Sequence, residues 1–364
     1  MSVKTNPPCV RSSLCITAAL LIATNSWAAQ RADPVAEIVS ILITVSVTSR
    51  TTPTSIGNSN TGRSNTTAQA TASGSSTLPM VTHVFKPAGA GPFKILLFAH
   101  GRPGYASERA RMRQPLFTRH VQYWLAKGYA VVAPIRPGYG TPPSGTGGAD
   151  QESSGVGYNA QGQCIRQPQP EQLATHAAAA QRAALDWVRQ QPWARKDHIV
   201  LEGRSGGGLA TVALCGASAN GAINTTNSAD ASTANPSAKL SGPSASNPLG
   251  IVGCINFSGG AGGDPIHAPG QVCAPEKTTA LMAHYGNSTS APSIWLYAPN
   301  DLYWGAAAPV QWQTAFNQAA KTAGHAPLTF IQTPPIGSDG HSLQRAGTAH
   351  WQPALDAWLK KNKL

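Results

Sequence analysis

Acidic side chains are scarce in this sequence: Asp and Glu number 15 against 27 Lys and Arg, and charged residues make up 12% of the chain. That is about half the usual fraction for a globular protein. The resulting net charge of +12 would suit an anionic partner such as nucleic acid, acidic lipid or a cell-wall polymer. The distribution argues otherwise. Lys and Arg never run four together, and neither a zinc-ligand spacing nor an RNA-binding signature accompanies them, so no nucleic acid, metal or other cofactor is expected.

A membrane-spanning apolar run is missing as well. Residues 14–24 are apolar but too short to cross a bilayer. Lys4 and Arg11 precede that run and Ser26-Trp27-Ala28 follows it, which is the order of a secretory signal peptide. Residues 1–28 are therefore read as a leader cleaved after Ala28 or Ala29, and the mature protein as exported, periplasmic or secreted, without stable membrane insertion. An uncleaved anchor ranks lower, because the run is short and a cleavage site follows it.

Cysteine is sparse too. Of six, Cys9 and Cys15 fall in the leader, and Cys164, Cys215, Cys254 and Cys273 allow three full pairings in an oxidising compartment. Cys215 and Cys254 lie where a buried helix and a buried strand are expected, settings in which cysteine is often a small apolar side chain. Cys164 and Cys273 lie in expected loops, so a bridge between those two is preferred.

Small residues fill the gap left by charge. Residues 49–78 and 216–249 are almost wholly Ser, Thr, Asn, Gly and Ala, too polar to offset the entropy of ordering; they read as a flexible linker and a surface insertion. Elsewhere the hydrophobic content of 41% supports a sizeable core, in one large domain or two small ones. An alternating run at 38–47 predicts a strand ahead of the linker. Further strands are expected at 81–86, 95–99, 129–133, 198–201, 251–257, 293–298 and 328–333. Helices are expected at 115–128, 170–190, 309–324 and 353–361, each opened by Pro at its start. Such alternation predicts a mainly parallel sheet with helices on both faces, in a catalytic domain over residues 79–364.

In open α/β sheets ligands bind beyond the carboxyl ends of the strands, so the loops there hold the candidate chemistry. After the strand at 198–201 comes Gly203-Arg204-Ser205-Gly206-Gly207, and Leu209, Val212 and Ala213 continue on a helix. A Gly-x-Ser-x-Gly match arises easily in a glycine-rich chain, where a plain turn is the bland alternative. Its strand-turn-helix context makes it a nucleophile elbow, which needs small neighbours because side chains there would collide within the turn. Asp301, after the strand at 293–298, and His341, in Ser338-Asp339-Gly340-His341, complete the chain order serine, acid, histidine. Asp264 is the rival acid, and Asp301 is open to reading as a turn residue. His325 and His350 read as surface or packing residues.

Charge developing on an attacked carbonyl oxygen needs two backbone N–H donors. Gly206 is one candidate; Arg102 is the other, since Pro103 has no N–H. His100 then reads as structural. Tyr105, Arg136, Tyr139, Tyr303 and Trp304 fall in loops near the expected mouth and are candidate substrate contacts, though each could equally cover the sheet edge.

Together, HGRPG at 100–104, RPGYG at 136–140, GRSGGG at 203–208, FSGGAGG at 257–263, YAPND at 297–301 and SDGH at 338–341 resemble the dienelactone hydrolase-like branch of the α/β hydrolases over residues 79–364. The resemblance implies the α/β-hydrolase fold and an exported serine hydrolase whose partner is a small-molecule ester. Dienelactone hydrolases proper have cysteine where this chain has Ser205, so their lactone substrate is not carried over. The alternatives are a serine peptidase of the prolyl oligopeptidase-like kind, usually built with a propeller whose repeats the sequence lacks, and a non-catalytic binding protein on the same fold.

Overall fold

Apolar alternation turns into strands as expected over most of the chain. The computed structural model describes residues 33–48, 73–140, 156–217 and 247–364; the expected leader and most of both low-complexity tracts lie outside these residues. Two units divide the chain, Met1–Val35 and Ala36–Leu364. Of the first only residues 33–35 are described, as irregular backbone, and every element belongs to the second.

The strands are β1 Glu37–Thr48, β2 Ser73–Phe85, β3 Phe93–Ala99, β4 Tyr129–Pro134, β5 Gly157–Tyr158, β6 Cys164–Arg166, β7 Ala194–Arg204, β8 Ile251–Phe257, β9 Gly263–Asp264, β10 Ala268–Val272, β11 Ser293–Tyr297 and β12 Thr329–Gln332. Eight of them form one sheet in the order β1-β2-β4-β3-β7-β8-β11-β12, while β5 with β6 and β9 with β10 make small hairpins. From β4 to β12 the neighbours run parallel; β1 and β2 are antiparallel additions at one edge. The helices are α1 Ala106–Ala110, α2 Thr118–Leu125, α3 Pro170–Val188, α4 Gly206–Ala217, α5 Pro275–Ser288, α6 Ala307–Thr322, α7 Leu343–Ala346 and α8 Thr348–Lys361. Among the described residues no helix is long and apolar enough to cross a membrane.

Central strands are apolar on both faces because helices cover both. Successive side chains of a strand point to opposite sides, so β3 sends Ile95 and Leu97 into the core beneath α3 to α6, and Leu96 and Phe98 into the core beneath α2 and α8. All four are 0–1% exposed, and truncating any one to alanine would cost about 2–5 kcal/mol. This is the α/β-hydrolase fold, a mainly parallel sheet with helices on both faces.

Several local expectations are corrected. Residues 73–78, read as linker, are strand: β2 pairs with β1 along its whole length, Ser73 opposite Thr48 and Leu78 opposite Ile43. Backbone pairing with an apolar partner strand recruits Ser and Gly that show no strand pattern of their own. Because β2 also pairs with β4, the N-terminal strand and the residues after 79 share one sheet. Helix α8 begins five residues before Pro353, which sits inside it; buried Trp351 anchors the earlier turn, so the proline does not mark the start. Helix α5 escaped the sequence reading although Pro275 opens it and Thr278, Leu281, Met282 and Tyr285 line its buried face.

Cys164, Cys215, Cys254 and Cys273 form two disulfides. Cys164 joins Cys273 with Cα atoms 5.5 Å apart, as expected, linking β6 to the residue after β10. Cys215 joins Cys254 at 6.6 Å, where only small apolar side chains were expected. Helix α4 lies against β8, so the two meet at bridging distance despite a sequence separation of 39.

Candidate active site

At the end of β7 the chain reverses into α4 through one residue, Ser205, whose φ is 55°. That left-handed backbone costs a non-glycine residue about 1–3 kcal/mol, and it thrusts the side chain out of the turn. Neighbouring small residues are obligatory: a Cβ on Gly203 would strike the Gly207 carbonyl, and one on Gly207 would strike the Ala99 carbonyl. The Ser205 N–H donates to Phe257 O over 2.9 Å, tying the elbow to β8.

Ser205 Oγ stands 2.9 Å from His341 Nε2. On the other side of the ring, Nδ1 lies 2.9 Å from Asp301 Oδ2 and 3.1 Å from Oδ1. All three residues are buried, Asp301 to 1% exposure. The Asp301 carboxylate is aimed by backbone donors, taking the N–H of Tyr303 at 2.8 Å and of Trp304 at 3.3 Å. Asp339 locks the two loops together by accepting from Leu302 N–H at 3.0 Å and His341 N–H at 2.9 Å. Gly340 between them has no room for a side chain: its Cβ would sit 2.7 Å from Asn300 Oδ1 and from the Asp301 nitrogen. With Asp301 bonded to Nδ1, the ring presents Nε2 as acceptor to the serine hydroxyl.

The rival acid is elsewhere engaged. Asp264 closes its own turn, accepting from the N–H groups of Ile266 at 2.9 Å and His267 at 3.1 Å and from His267 Nδ1 at 2.9 Å. Partial burial pushes its pKa up, but those bonds and the His267 charge together bring it below the ordinary value.

As the first residue of α4, Gly206 has an N–H without an intrahelical acceptor. A methyl on Gly206 would lie 3.8 Å from the Arg102 nitrogen, and one on Gly101 3.1 Å from Ser205 Cβ, so the loop after β3 passes directly over Ser205. That loop is held from below. His100 Nδ1 donates to Gly101 O at 2.8 Å and its Nε2 accepts the Arg136 N–H at 3.1 Å. Burial, with Arg136 adding, keeps the imidazole well below its ordinary pKa and hence neutral.

The five candidate substrate contacts part ways. Tyr303 lays its ring 4.1 Å from that of His341 and is half-buried; Tyr105 is exposed, before α1. Arg136, Tyr139 and Trp304 are buried. The Arg136 guanidinium donates to His100 O and lies over the Tyr139 ring, while Trp304 Nε1 donates to Ser258 O at 2.8 Å. Position in a loop does not tell which way a side chain points.

Sequence reasoning missed a polar cluster behind Ser205. Glu202, fully buried, meets His120 Nε2 at 2.6 Å, Trp124 Nε1 at 3.0 Å and Gln344 Nε2 at 2.6 Å. The signal was a glutamate inside an otherwise apolar strand, which must find partners. Among the described residues no group of three or more His, Cys, Asp or Glu is placed to hold a metal.

No protein-family model and no curated protein matches the chain. Solved structures do. An acylaminoacyl peptidase of Pyrococcus horikoshii aligns with a TM-score of 0.48 at 12% identity, over 92% of this chain and 41% of its own. An esterase of Pyrococcus furiosus gives 0.46 at 12%, over 98% and 99%, and a puromycin hydrolase 0.45 at 12%, over 78% and 37%. The chain thus spans less than half the length of the first and third. No residue role passes from them to this protein.

Proposed function

We propose that the chain is an exported serine hydrolase of carboxylic esters, of the dienelactone hydrolase-like kind, acting through an acyl-enzyme. Ser205 is the nucleophile, His341 the general base and then acid, and Asp301 the group that orients His341 and steadies its charged form. The observation that carries this reading is the unbroken hydrogen-bonded run from Ser205 through His341 to Asp301, which starts at a strained elbow.

Ser205 Oγ attacks the ester carbonyl carbon as its proton passes to His341 Nε2. The N–H groups of Gly206 and Arg102 receive the oxyanion. Collapse of the tetrahedral intermediate breaks the bond to the alcohol oxygen, which leaves with the proton from His341. Water then attacks the acyl-enzyme while His341 takes its proton, and the acid departs as Ser205 is restored. Labelling by a fluorophosphonate probe at Ser205, with turnover across 4-nitrophenyl esters of graded length, tests the reading; a pure Ser205→Ala sample that kept esterase activity would overturn it.

Export belongs to the same proposal, with residues 1–28 as the leader. Two disulfides support it, because such bonds persist in oxidising compartments. N-terminal sequencing of the exported protein should begin at Ala29 or Gln30, and recovery of the intact leader would contradict it.

A further inference from the structure

Arg204, immediately before the nucleophile, has a side chain that neither the fold nor the proposed reaction uses. It reaches toward the loop after β3: a methyl on Gly101 would sit 3.7 Å from Arg204 Nη1 and 3.1 Å from Ser205 Cβ. One point therefore touches both the guanidinium and the nucleophile. Asp301 and Asp339 attract the Arg204 charge, and Arg345 repels it. The residue is partly exposed, so a ligand can reach it.

A guanidinium carries five N–H donors and keeps its charge throughout the ordinary pH range. Two buried arginines find acceptors. Arg136 donates to His100 O, and Arg109 donates to Pro103 O at 3.1 Å and Gly104 O at 2.9 Å. Arg204 does not: its Nε is closed off from solvent with no acceptor, and its guanidinium makes no hydrogen bond or ion pair among the described residues. The carboxylates within electrostatic reach are committed elsewhere. Asp301 serves His341 and two backbone N–H groups, and Asp339 serves Leu302 and His341. Burial lowers the Arg204 pKa from its ordinary value, as befits a cation short of compensating contacts.

We infer that Arg204 is an anion subsite beside the nucleophile and that the ester cleaved at Ser205 carries a carboxylate, taken by the guanidinium in a bidentate pair. Arg supplies two parallel N–H donors whose spacing matches carboxylate oxygens. The substrate assignment rests on the hydrolase reading; the capacity to bind a carboxylate does not.

Two matched pairs of esters test it. The first puts the charge on the acyl side, the 4-nitrophenyl half-ester of adipic acid against 4-nitrophenyl hexanoate. The second puts it on the alcohol side, the hexanoate of 4-hydroxybenzoic acid against that of 4-hydroxybenzamide. Wild-type protein should prefer the acid member of one pair by roughly ten- to a hundredfold in kcat/KM, and that pair identifies the side facing Arg204. In Arg204→Gln the preference should shrink at least about tenfold, with part of it restored in Arg204→Lys. No preference in either pair, or one that survives in Arg204→Gln, overturns the proposal. Calorimetric titration with adipate reads the subsite without chemistry: saturable binding that disappears with the arginine supports it, and equal heats in both proteins overturn it. If no ester is cleaved and Ser205 takes no fluorophosphonate, yet adipate binds through Arg204, then the hydrolase reading fails and the anion site stands.

Discussion

Gln344 donates from Nε2 to Glu202 Oε1 over 2.6 Å, joining the short helix that follows His341 to the strand that carries Ser205. The same carboxylate holds His120 and Trp124 of α2, so three elements around the site converge on one buried charge. Removing one partner of such a cluster leaves the others desolvated and unpaired, which costs about 3–5 kcal/mol. Glu202→Ala should therefore lower stability by that amount in urea unfolding. Gln344→Ala should cost less, because Gln344 Oε1 is already without a partner and the carboxylate retains His120. Equal and small losses in both variants would remove the cluster as a support of the site.

Both disulfides should appear in peptide maps made without reduction, Cys164 with Cys273 and Cys215 with Cys254. In the chain-entropy account, bridges across 109 and 39 residues each stabilise by about 4–5 kcal/mol when unstrained. The paired alanine variants, Cys164→Ala with Cys273→Ala and Cys215→Ala with Cys254→Ala, should each unfold at markedly lower denaturant. Free thiols at Cys215 and Cys254 in the oxidised protein would refute the second bridge.

Mild acid should weaken the fold through half-buried His198 and buried His100. Burial first, then Lys94 and Arg195, lower the His198 pKa from 6.5 to about 4 against the opposing pull of Asp197, and burial with Arg136 moves His100 in the same direction. In the unfolded chain these side chains take a proton near the ordinary value, whereas folded His198 does so only near pH 4. Between those values the unfolded state binds more protons, so stability falls as pH drops from about 6.5 toward 4. Urea unfolding across this window should show the slope, and His198→Gln should flatten part of it. An unaltered slope in that variant would exclude His198 as a contributor.

Local signals carried much of this architecture and failed at long range. The strand-turn-helix geometry at Ser205 was legible because strand, glycines and helix are contiguous there, and the positions of Asp301 and His341 because each follows a strand end. Cys215 and Cys254 were missed since their contact depends on α4 packing against β8, which neither neighbourhood reveals. The burial of Arg136 and Trp304 was not legible for a related reason: backbone position marks a loop, while side-chain direction depends on partners such as the His100 and Ser258 carbonyls. Strand residues 73–78 carry no apolar pattern, and only the ladder to β1 orders them.

The two aspartates separate the proposed mechanism from its nearest rival. Asp301 lies under the His341 ring with its carboxylate fixed by two backbone donors, while Asp264 is occupied by its own turn and His267. If His341 moves the proton of Ser205, Ser205→Ala and His341→Ala should each lower kcat on a 4-nitrophenyl ester by about a millionfold. Asp301→Asn should lose about ten-thousandfold, since the amide favours the tautomer that presents the wrong nitrogen to the serine. Asp264→Asn should stay within about threefold of wild type, because losing an exposed turn contact leaves the triad geometry alone. Arg102→Ala should also be mild, its proposed donor being backbone. Should the two aspartate results be reversed, the acid would move to Asp264 in β9 and the roles assigned to Asp301 and its backbone donors would be withdrawn.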